Sequence, residues 1–94
     1  VSSTIEFEVH FDQVIATTEG TSCAMPGLFR EQIIPTRLGR AFASLVSNEE
    51  LRRVAATQEA LPSSSGYQHL KVPVISTSRP AVGSLLREMA DYAR

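Results

Sequence analysis

Two histidines, one cysteine and a cluster of arginines are the side chains in this 94-residue chain best equipped to bind or react. Glu8, His10 and Asp12 fall at alternate positions. On a strand this spacing sets all three on one face, and carboxylate plus imidazole suits zinc or iron. Same-face neighbours on a strand start roughly 6.6–6.8 Å apart. A third ligand therefore has to come from elsewhere, and His69 is the only other imidazole. A solvated strand face asks for less, because exposed strand faces are normally polar. No metal site and no cofactor is expected.

Cys23 with His10 or His69 would make a nucleophile and its base. The segment Gly20-Thr21-Ser22-Cys23-Ala24 departs from a nucleophile elbow, which ends in Gly and feeds a helix. Here Ala24 closes it, and Pro26 and Gly27 follow at once. Nothing beside Cys23 in sequence lowers a thiol pKa. A small buried apolar role is the simpler expectation, and no catalytic residue is assigned.

The arginines are more suggestive. Arg30, Arg37, Arg40, Arg52 and Arg53 are five of the nine basic residues and lie within 24 positions. Guanidinium groups on one surface bind carboxylates or phosphates bidentately. Glu31, Glu49, Glu50 and Glu59 are interleaved, so a salt-bridged solvated helix face is the competing reading.

These groups have to be positioned by regular elements. Ile5, Phe7, Val9 and Phe11 alternate with Glu6, Glu8, His10 and Asp12, which predicts a half-buried strand. The alternation breaks at Asp12 to Ile15, and Val14 to Thr18 suits a paired second strand. Residues 19–35 read as loop-rich, punctuated by Gly20, Pro26, Gly27 and Pro35, with Leu28 to Ile34 fitting no clean pattern. Thr36 caps a helix starting at Arg37, with Leu38, Phe42 and Leu45 on one side and Arg37, Arg40 and Ser44 on the other. Ser47 and Glu50 form a capping box for a second helix, carrying Leu51, Val54, Ala55 and Leu61 inward, with Glu49 placed to pair with Arg53.

Pro62 and the serine-glycine run then make residues 62–67 a flexible connector. Leu70, Val72 and Val74 predict a strand that Pro73 confines to an edge, leaving the stretch Leu70–Ser76 able to pair with another chain. Thr77 or Ser78 caps a last helix with Pro80 in its first turn and Val82, Leu85, Leu86, Met89 and Ala93 as its apolar stripe. Three helices and one strong strand are too little sheet for a doubly wound fold. The expectation is one α+β domain over residues 1–94, with a small, mostly antiparallel sheet and about three helices packed on one face.

Composition narrows the function. Apolar residues make up 43% and charged residues 20%, which is the globular range. A net charge of −1 supplies no long-range field for nucleic acid or an anionic membrane. No apolar run approaches a membrane span, so no membrane partner is expected. Val1-Ser2-Ser3-Thr4 is not a basic segment leading into an apolar one, so no secretory leader is expected; with a lone cysteine, a cytoplasmic setting follows. Six aromatic side chains leave little for stacking bases.

These readings favour a non-catalytic protein-interaction module: a small regulator, inhibitor or assembly subunit. It would bind a protein partner through Arg30, Arg37, Arg40, Arg52 and Arg53 or the edge strand, or would self-associate. Two alternatives stand beside it. One is a small enzyme using His10 or His69 as general acid or base. The other is a nucleic-acid-binding regulator using the same arginine face.

Overall fold

The computed structural model describes residues 4–62, 66–75 and 78–94. Strand β1 (Thr4–Val9) turns tightly into β2 (Gln13–Thr18), with the His10 N–H donating to the Gln13 carbonyl at 2.8 Å. Ile5, Phe7 and Val9 are buried and Glu6 and Glu8 half-buried, as the alternation of β1 requires.

A third strand, β3 (Thr21–Pro26), occupies ground that reads as loop from sequence. Glu19 and Gly20 form a two-residue turn at φ 51° and 74°, the left-handed pair that a tight hairpin needs. Only Cys23 and Met25 of β3 are buried, so its apolar side is two residues long and lacks β-branched side chains. That is why the period-two signal is faint.

Phe29–Ile33 then forms a single π-helical turn, in which the Ile34 N–H donates to the Phe29 carbonyl at 3.0 Å. Helices α1 (Arg37–Ala43) and α2 (Asn48–Ala60) follow. Thr36 caps α1 through the Gly39 N–H, and Ser47 caps α2 through the Glu50 N–H, each at 3.3 Å. The pairing expected from Glu49 is made by Glu50 instead, whose Oε1 lies 2.7 Å from Arg53 Nη2 at i, i+3. The Glu50 carboxylate turns forward along the helix rather than back to the cap.

Strand β4 (Gln68–Pro73) and helix α3 (Arg79–Tyr92) complete the chain. Ser78 caps α3 by accepting from the Ala81 N–H. Of the connector at 62–67, residues 63–65 lie outside the described set, as do Ser76 and Thr77.

The four strands are all antiparallel in the order β3-β2-β1-β4. The helices cover one face, giving the α+β architecture expected. At the centre, Phe7, Phe29 and Phe42 meet with ring centroids 5.4 to 6.2 Å apart. Around them pack Val14, Met25, Val46, Val54, Val72, Leu85 and Met89. Of the stripe on α3, Leu85 and Met89 are buried and Val82 and Leu86 half-buried, whereas Ala93 is exposed.

The ladder pattern identifies the main-chain groups that face outward. Hydrogen-bonded and non-bonded pairs alternate along antiparallel strands, and a two-residue turn makes its flanking pair a bonded one. Thr18–Thr21 is that pair, so Cys23 and Met25 bond to β2, while Ser22, Ala24 and Pro26 turn their main-chain groups to the edge. Carried across the sheet from the His10–Gln13 bond, the same alternation turns His69, Lys71 and Pro73 outward on β4. Both prolines therefore occupy positions where a missing N–H costs the sheet nothing.

Candidate functional site

Arg37 and Arg40 are exposed on the outer side of α1, one helical turn apart. α1 packs beside α3, and between them runs an open groove lined by Arg37, Arg40, Ala41 and Ser44 from α1 and Ser84 and Glu88 from α3. Among the described residues neither arginine has a carboxylate within salt-bridge distance. The Ser44 hydroxyl is turned to the Arg40 carbonyl at 3.2 Å. The groove thus presents two forked cations and two serine hydroxyls, with one carboxylate on the far wall.

The other three arginines do not join this pair. Arg30 donates through Nε to Glu59 Oε2 at 2.8 Å and through Nη2 to Oε1 at 3.4 Å, tying the π-helical turn to the end of α2. The bonded Glu59 carboxylate, with its charge, holds the Arg30 guanidinium still more firmly protonated than usual. Arg53 is engaged by Glu50. Arg52 is exposed on α2 and outside the groove. Sequence spacing shows that Arg37 and Arg40 share a face. It does not show Ser84 and Glu88, an i, i+4 pair more than forty positions away, because only the docking of α3 on α1 brings them opposite.

The histidines and the cysteine are on different sides of the sheet. His10 lies 3.1 Å from Glu8, and His69 lies 3.1 Å from Glu6, all on the face away from the helices. The His10 ring stacks on Tyr67 with centroids 5.1 Å apart. Asp12 is exposed in the turn and joins neither pair. Among the described residues no three His, Cys, Asp or Glu side chains converge so as to hold a metal ion.

Cys23 points the other way, into the core, where its thiol donates to the Met89 carbonyl at 3.7 Å. Burial pushes this thiol above its ordinary pKa. A group that ionises less readily in the fold than in the unfolded chain stabilises the fold below its unfolded pKa. That contribution is lost as pH rises toward the folded value. Stability should therefore decline above about pH 9, the ordinary thiol value. Urea midpoints at pH 7.5 and 9.5 should separate more for the native chain than for Cys23→Ala; equal separations would remove the cysteine from the account.

No protein-family model, no curated protein and no solved structure matches this chain.

Proposed function

We propose that the domain is a non-catalytic protein-interaction module whose contact surface is the groove between α1 and α3, and that it takes an acidic segment of a partner protein. One observation carries this reading: Arg37 and Arg40 line a common groove with no carboxylate partner among the described residues. Arginine in such a position offers several donors in fixed geometry and matches carboxylates bidentately. The separation of Cys23 from His10 and His69 across the sheet supports a binding role over a nucleophile-and-base one. The net charge of −1 favours a protein partner over a polyanion, which needs a field of positive charge.

The test is a titration of the ¹⁵N-labelled chain with an Asp/Glu-rich peptide at low salt. Amide shifts should concentrate at Arg37 to Ser44 and Ser84 to Glu88, and fade as salt is added. Arg37→Ala with Arg40→Ala should weaken the peptide about tenfold, the loss of roughly 1.4 kcal/mol of charge-assisted hydrogen bonding. Glu88→Gln should tighten it by about two- to threefold, because it removes a like charge from the far wall. Shifts elsewhere, or a double variant that binds as well as the native chain, would refute the reading. So would a short DNA duplex that binds more tightly than the peptide.

A further inference from the structure

The two edges of the sheet differ. β4 turns His69 and Lys71 outward, an imidazole and a charge, and charge is a usual way of blunting an edge; a missing N–H is common to both edges, at Pro73 on β4 and at Pro26 on β3. β3 carries no charged residue from Thr21 to Pro26, and its outward residues Ser22 and Ala24 are small and exposed. Their main-chain N–H and C=O groups have no main-chain partner among the described residues.

Beneath this edge lies α3, with Met89 against Cys23. At 100° per residue, α3 turns Leu85 and Met89 to the sheet and Ser84 and Glu88 to α1, leaving Leu86, Ala90 and Ala93 on the flank away from α1. The C-terminal half of that flank is apolar, whereas Arg79, seven positions before Leu86, stands on it at the start of the helix. Leu86 is half-buried and Ala90 and Ala93 are exposed.

We propose that a second copy of this chain pairs with the β3 edge about a two-fold axis at Cys23. Ser22 then exchanges both main-chain hydrogen bonds with Ala24 of the second copy, and Ala24 with its Ser22, so every outward donor of the edge is used. Pro26 supplies none beyond them. Because Met89 lies against Cys23, the same axis passes beside Ala90. It sets Ala90 against its counterpart and Leu86 against Ala93, and small residues at that crossing let two helices approach to about 8 Å.

The occupant is a second copy because one symmetry operation satisfies an uncharged edge and an apolar helix flank together. Four hydrogen bonds worth about 1 kcal/mol each do not by themselves offset the cost of association, so the α3 contact is required. A six-residue strand above one helix gives a footprint roughly 20 Å square per copy. That is in the range of weak, reversible complexes below about 1,200 Å² in total.

Sedimentation equilibrium of the chain at concentrations from about 10 μM to 1 mM tests it, reaching high enough for a weak, reversible contact. The weight-average mass should climb from 10.3 kDa toward twice that value. Ala90→Glu sets two carboxylates face to face, and Ala24→Pro removes an outward N–H while sparing the β2 ladder. Each should hold the mass at 10.3 kDa throughout, with the native circular dichroism retained. If Ala24→Pro proves unfolded, Ser22→Pro takes its place. A native chain that stays monomeric to 1 mM would overturn the proposal, as would a dimer that survives either substitution in a folded variant.

Discussion

Gly39→Ala should destabilise the fold by roughly 3 kcal/mol, although an alanine in a helix is ordinarily worth about 1 kcal/mol over glycine. A methyl group on Gly39 would collide with the carbonyl oxygens of Ile33 and Ile34. Those atoms belong to the main chain at the end of the π-helical turn, so they cannot swing aside as a side chain can. α1 would have to lift from that turn, and Leu38 and Phe42 would leave the core with it. A domain of this size has about 5–14 kcal/mol to lose. The melting temperature should fall by roughly 12–24 °C. Gly83→Ala is the control, because nothing lies within 4 Å of the added carbon on the exposed side of α3. It should raise stability by about 0.5–1 kcal/mol. If the two variants melt within a few degrees of one another, the close approach of α1 to the turn is wrong.

Replacing Gln58 by Leu should cost a similar amount for an opposite reason: the volume is nearly kept and the polarity is lost. Gln58 is 2% exposed. Its Oε1 accepts from the Phe29 N–H at 2.7 Å and its Nε2 donates to the Gly27 carbonyl at 2.9 Å. One side chain of α2 thereby satisfies both ends of the bend that leads from β3 into the π-helical turn. Leucine strands a buried donor at about 1–3 kcal/mol and a half-buried acceptor at the lower end of that range, or roughly 3 kcal/mol in all. Urea denaturation measures the total. Hydrogen exchange locates it: the Phe29 amide should lose protection first, ahead of the β1 amides. A Gln58→Leu variant as stable as the native chain would show that the bend is held by its neighbours alone.

What the sequence makes readable here follows how local each signal is. β1 announces itself because Ile5, Phe7 and Val9 alternate with charged residues. The caps Thr36 and Ser47 stand directly before the helices they begin. β3 is hidden because an edge strand needs few apolar residues, and Cys23 and Met25 are not strong strand formers. The π-helical turn is hidden because its anchor, Gln58, is 29 residues from Phe29 and looks like any other polar helix residue. The arginines show the same division. Arg37 and Arg40 share a face by helical arithmetic. That Glu59 engages Arg30, and that Ser84 and Glu88 stand across from Arg37 and Arg40, follows from how α2 and α3 dock.

The contrast between the two sheet borders bears on how far any assembly could extend. A fibril grows when every subunit offers two adhesive borders, so that each addition exposes a fresh one. Here a proline limits each border to two outward donors, and Lys71 places a charge on only one of them. Contact through the open border consumes it in both participants and leaves nothing for a third. On the proposed pairing it is the charge on one border, and not the prolines common to both, that would stop polymerisation at the first step.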